Sequence, residues 1–145
     1  MTQGMRPRVD AHPDAETIRA RVAETLPLPV RPEDEARADR LLAQMDIAPG
    51  ENRRRLAYAV TLVLNDAANA GRLKHTVYPA VAERFHTTPR RVEDGLRRAI
   101  DAAWTTGNSE RQYALFGNTI DARRGKPTTA ALLATAAELL RQEVE

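Results

Sequence analysis

Cysteine is absent from the chain, which excludes structural disulfides, thiolate metal sites and thiol catalysis and suits a reducing cytosol. Histidine is scarce. His12, His75 and His86 show neither HxxxH nor HExxH spacing, so no metal and no cofactor is expected. Gly-rich phosphate loops are missing, because the stretch Arg123–Thr129 has a Lys and a Thr but no Walker spacing and no preceding strand. No Ser–His–Asp set and no isolated carboxylate pair can be assembled, so the chain is expected not to be an enzyme. Long apolar runs are lacking too: the longest is interrupted by Thr61 and Asn65, and the N-terminus has no signal-like apolar segment. A cytoplasmic location, with no membrane partner, is the expectation. Lysine is nearly missing, with Lys74 and Lys126 the only two among 22 basic side chains. Arginine grips guanine edges and phosphates in a bidentate way, but a GC-rich genome enriches it equally, so placement must decide.

What is present is helical periodicity in a chain of 145 residues, about one domain's worth. Residues 1–32 read as an arm. Pro13 to Thr25 suits a short helix with Ile18, Val22 and Leu26 as a thin apolar stripe, and the prolines from Pro27 to Pro32 favour extended backbone. Residues 33–145 read as an all-α domain, a six-helix bundle containing a helix-turn-helix. Its helices are expected over Glu33–Met45, Glu51–Ala70, Thr76–Phe85, Pro89–Thr106, Ser109–Phe116 and Pro127–Val144, with Gly117–Lys126 irregular. The second is apolar on most sides and should be central. No alternating strand pattern or internal repeat is seen.

The informative segment is Thr76–Trp104. Two helices joined by three or four residues form the geometry in which one braces the other in a DNA major groove. Thr88 suits an N-cap and Pro89 the first helical position, so the second helix should begin sharply. Val92, Leu96, Ala99, Ile100 and Ala103 make its apolar stripe, while Arg90, Arg91, Glu93, Asp94, Arg97, Arg98 and Asp101 occupy the other face. Arginine can read guanine, and a carboxylate can accept from cytosine N4. The same pattern also serves as plain solvated surface, with pairs such as Asp94–Arg98 and Arg97–Asp101. His75 and His86 flank the first of the two helices and can touch phosphate or solvent; Trp104 and the tyrosines are mostly packing residues, with Tyr78 the one placed to meet phosphate through its hydroxyl.

The run from His75 through Tyr78, Phe85, Thr88-Pro89-Arg90-Arg91 and Glu93, then Arg97-Arg98-Ala99-Ile100 and Ala103-Trp104, resembles the effector domain of the sporulation master response regulator family. Gly107-Asn108, Leu115-Phe116-Gly117-Asn118-Thr119 and Lys126-Pro127-Thr128 resemble that family's later motifs, in the same order and spacing. The likeness covers roughly Asp46–Glu143. It implies a six-helix domain that binds a short promoter box in double-stranded DNA, often as a head-to-tail pair, and regulates transcription at the onset of sporulation. It also implies that Arg91 and Glu93 read bases and that Arg97 occupies a basic position. Arg98 replaces what is commonly histidine. Asp94 departs from the family's usual arginine, and a carboxylate there repels phosphate and cannot donate to guanine. The family's phosphoacceptor domain has no counterpart in the 32 residues before the domain, and neither Asp10 nor Asp14 lies in a strand-borne acidic pocket. A stand-alone effector is therefore expected.

Three readings stand at this point. The first is a sequence-specific regulator whose DNA-binding residues are Tyr78, His86, Thr88, Arg90, Arg91, Glu93, Asp94, Arg97 and Arg98, acting on DNA as a homodimer. The second is an interaction module that modulates a full-length regulator, RNA polymerase or a sigma factor. The third, a non-specific nucleoid protein, fits poorly with a net charge of only +2.

Overall fold

Glu33, Asp34 and Glu35 place three carboxylates where the positive end of a helix dipole favours them, and α1 (Pro32–Gln44) starts there. The computed structural model describes residues 32–117 and 125–144. The expected arm helix, the proline-rich stretch up to Arg31 and most of the irregular Gly117–Lys126 segment lie outside those residues.

Among the described residues the chain forms six α-helices and no strand: α1, α2 (Glu51–Asn65), α3 (Tyr78–Arg84), α4 (Pro89–Thr106), α5 (Ser109–Phe116) and α6 (Thr129–Val144). The central role expected of α2 holds. It buries Leu56, Ala57, Ala59, Val60, Leu62 and Val63 and packs against α1, α4 and α6. Its buried Thr61 hydroxyl donates to the Tyr58 carbonyl at 2.6 Å, which satisfies the polar atom inside an aliphatic core. Leu42, Met45, Leu96, Ile100, Leu132, Leu133 and Leu140 complete that core. Each such side chain contributes about 1.5–3 kcal/mol on removal from water.

Three boundaries differ from the expectation by two residues or more, each because a side chain or a missing donor outweighs periodicity. The second helix stops at Asn65 and not at Ala70. Asp66 turns extended and its carboxylate accepts from the Ala68 N–H at 3.1 Å, starting a 3-10 turn over Ala67–Gly71. Buried Asn69 donates from Nδ2 to the Leu62 carbonyl at 2.9 Å, occupying one of the acceptors that end α2. Upstream of α3 the helical path already begins at Leu73, as a π turn over Leu73–Val77. Pro79 has no N–H and its ring crowds the carbonyl four residues back, and the Tyr78 N–H instead reaches the Leu73 carbonyl five residues back. Finally, α6 begins at Thr129 because the Thr128 hydroxyl accepts from the Ala131 N–H at 3.1 Å, leaving Pro127 outside.

Two helices end in the same six-residue reversal around a left-handed residue that is not glycine. At the end of α1, Asp46 has φ 67°; its N–H donates to Ala43 at 3.0 Å and the Ile47 N–H to Leu42 at 3.1 Å. At the end of α3, His86 has φ 56°; its N–H donates to Glu83 at 3.4 Å and the Thr87 N–H to Ala82 at 2.9 Å. The first reversal is also a joint between distant segments. The Asp46 carboxylate accepts from the Asn108 N–H at 2.6 Å and from Arg111 Nη2 at 2.7 Å, which fastens the start of α5 to the end of α1. The Asn108 N–H first, and the Arg111 guanidinium second, hold its carboxyl below the usual aspartate range. Beside it, buried Gln112 donates from Nε2 to the carbonyls of Met45 (2.9 Å) and Ala103 (2.8 Å), drawing in the end of α4.

Candidate nucleic-acid interface

α3 and α4 are joined by Phe85–Thr88, which gives the helix-turn-helix-like pair its expected short turn. Thr88 is extended and its hydroxyl accepts from the Arg91 N–H at 3.2 Å, while Pro89 takes the first helical position. The start of α4 thus lies where the sequence places it. Val92, Leu96, Ile100 and Ala103 are buried as expected, and Ala99 is half-buried. Gly95 adds something periodicity did not show: a Cβ there would stand 2.5 Å from Asn52 Oδ1, so the missing side chain lets α4 lie close against the start of α2.

The brace is equally fixed. Arg84, at the end of α3, donates to both Glu35 carboxylate oxygens at 2.9 and 3.3 Å and lies 4.6 Å over the Tyr58 ring. That fork ties α3 to α1 and α2, and the Glu35 hydrogen bond raises the Arg84 pKa further.

The structure brings eight of the nine candidate residues to one surface patch. Arg90, Arg91, Arg97 and Arg98 are exposed on α4, and His86 and Thr88 are exposed on the turn before it. Asp94 and Glu93 are partly covered by arginines. Arg90 Nε lies 3.4 Å from Asp94, Arg97 lies 3.6 Å from Asp94, and Arg97 donates to Glu93 at 3.0 Å. The chain Arg90–Asp94–Arg97–Glu93 replaces the pairs expected at Asp94–Arg98 and Arg97–Asp101. Asp101 turns to Lys126 instead, at 2.8 Å. Arg91 and Arg98 meet no carboxylate among the described residues. Exposed pairs of this spacing are worth about 0.3–0.5 kcal/mol, whereas a bidentate guanine contact discriminates by about 1–3 kcal/mol. Arg90 and Arg97 are therefore ordered by their partners without being withheld.

Tyr78 lies not on the exposed patch but in a cleft at its edge, beside Glu93 and Arg97. It is buried, and its hydroxyl engages the Thr129 side chain; burial pushes its pKa up, with the Thr129 bond opposing. It forms a wall of a cleft of about 290 Å³ between α4 and the start of α6. Two charge pairs line that cleft, Arg97 with Glu93 and Lys126 with Asp101, and Lys74 adds a further positive charge.

Among the described residues no group of three or more His, Asp or Glu side chains is placed to hold a metal ion, and no helix is long and apolar enough to cross a membrane. Asp46, Gln112 and Gly95, which set the position of α4 and α5, escaped sequence reading. Only Asp46 carries a local signal, a small polar residue between buried Met45 and Ile47 just past a helix. Over residues 51–140, from the first residue of α2 into α6, the chain matches the family described as sporulation initiation factor Spo0A C terminal.

Proposed function

Because the chain belongs to the Spo0A C-terminal family, we propose that it is a sequence-specific DNA-binding regulator of transcription that grips duplex DNA through the outward face of α4. The single observation that carries this reading is the placement of four exposed arginines on the side of α4 opposite Val92, Leu96 and Ile100, directly after a capped turn. α4 is 18 residues long, enough to lie along a major groove, and the brace from α3 to α1 holds it as a rigid reader. Arg91 and Arg98, which meet no carboxylate among the described residues, are suited to guanine or phosphate; His86 and Thr88 stand at the end of α4 nearest a flanking phosphate. The chain acts here without catalysis and without a metal or cofactor. Its partners in this reading are double-stranded DNA, a second copy of the chain on adjoining half-boxes, and RNA polymerase or a sigma factor. The process is the one the family name carries, sporulation.

Selection of bound duplexes from a random pool, followed by titration of the recovered duplex, tests this. The wild-type protein should enrich one short box, with affinity that falls as salt rises. Arg91→Ala should lose about 1–3 kcal/mol on that box. Unchanged binding in Arg91→Ala, with retained capture of polymerase, would favour the interaction-module reading; equal affinity for unrelated duplexes would favour the nucleoid one.

A further inference from the structure

An acid and an arginine share the outermost position on the reading face of α4. Buried Leu96 marks the inward direction, and at about 100° per residue Asp94 and Arg98 are each turned roughly 160° away from it, on opposite sides. Arg91 and Arg98 lie to one side of Asp94, and Arg90, Arg97 and Asp101 to the other. Asp94 is nevertheless only 38% exposed at its side chain, against 84% for Arg90, because guanidiniums close on it from both helix directions at 3.4 and 3.6 Å. Glu93 differs: it lies nearer the core, 26% exposed, hydrogen-bonded to Arg97 on the cleft side.

From this placement we infer that Asp94 is the specificity-determining residue of the interface and that it selects cytosine at one position of the box. The inference rests on the DNA-binding reading of α4. Deep in a major groove a carboxylate faces acceptors on guanine and on thymine O4, and only amino groups welcome it; adenine sets its N6 amino group beside the N7 acceptor, which repels a carboxylate, so the cytosine N4 amino group is the matching donor. At the groove rim it meets phosphate, which it repels. An acid at this apex therefore lowers affinity for DNA at large and restores it where cytosine presents its amino group. Arg90 and Arg97 serve two ends at once. They hold the carboxylate in a fixed direction from both sides, and they offset its charge against the phosphates. Pre-orientation of this kind reduces the ordering cost of each contact.

Asp94→Ala tests this against wild type, using duplexes selected by each protein from one random pool and then single-base variants of the wild-type box. Asp94 is on the surface and outside the core, and thermal melting checks that the variant folds. Wild type should recover a box with one position fixed as cytosine, and replacing that base should weaken binding by about 10- to 100-fold. Asp94→Ala should tolerate every base there within about 2-fold, and should bind unrelated duplexes more tightly than wild type does. Asp94→Asn, which can donate as well as accept, should shift the preference toward adenine. If Asp94→Ala keeps the wild-type preference at every position, the inference fails and the regulator reading stands. If wild type itself enriches no box, both fail together.

Discussion

α1 and α3 end in the same backbone turn, yet the two corners spend their left-handed residue differently. Asp46 is half-buried and tied down: its carboxylate closes on Asn108 and Arg111, and Gly107 lies against its Cβ. His86 is exposed, and its imidazole has no hydrogen-bond partner among the described residues. A left-handed conformation costs a non-glycine residue about 1–2 kcal/mol. At the first corner two strong bonds to the start of α5 offset that cost. At the second no described contact of the side chain offsets it, although the turn lies directly before α4. Strain of this sort persists where a side chain is kept for something outside the fold. The comparison separates a corner tied into the domain from one left open to solvent directly before α4.

The largest expected effect breaks the first corner. Gly107→Ala would drive a Cβ to 2.4 Å from the Ala103 carbonyl oxygen and 2.8 Å from Asp46 Cβ, and should cost about 1–3 kcal/mol in chemical denaturation. No such crowding exists around His86, and the same measurement on His86→Gly should show a gain of about 1 kcal/mol as the left-handed strain is relieved. That variant should also bind the selected duplex more weakly, since the imidazole is gone; a stable variant with unchanged DNA affinity would remove His86 from the interface. The smallest effect is one of pH. The Asp46 carboxyl titrates below its ordinary value of 3.8 because it is bonded in the fold, so its contribution is complete above that value and is lost as pH falls through the lowered one. Melting temperatures of Asp46→Asn should therefore lie below wild type near neutrality and converge on it in acid. A constant gap across that range would mean that charge has no part in the joint.

How legible all this was in the sequence depended on distance along the chain. The start of α4 was readable because Thr88 and Pro89 act on their own turn, through a cap to Arg91 and a donor that is not needed. Its end was readable because Gly107-Asn108 both stops one helix and caps the next, with the Asn108 side chain accepting from the Arg111 N–H at 3.0 Å. Periodicity failed at Ala67–Ala70, where alanine favours helix but Asp66 and Asn69 take the backbone donors and acceptors for themselves. It also failed to show the π turn, since the effect of Pro79 on the carbonyls before it does not alter the apolar spacing. The Asp46 joint was out of reach for a different reason. Its partners lie 62 and 65 residues away, and nothing local says which guanidinium will close on it. On α4 itself the chemistry of the face was legible residue by residue, and the helical period turns Asp94 outward; that Glu93 lines a cleft came only from the packing of α4 against the start of α6.

The central claim is that the outward side of α4 meets DNA while the Asp46 joint only holds it in place. Amide chemical-shift mapping of the labelled protein with its selected duplex tests this directly. The account predicts that the large perturbations cluster over His86–Arg98 and leave Asp46 and Asn108–Phe116 nearly still. Perturbations centred on α5 and the Asp46 corner, with α4 unmoved, would contradict it.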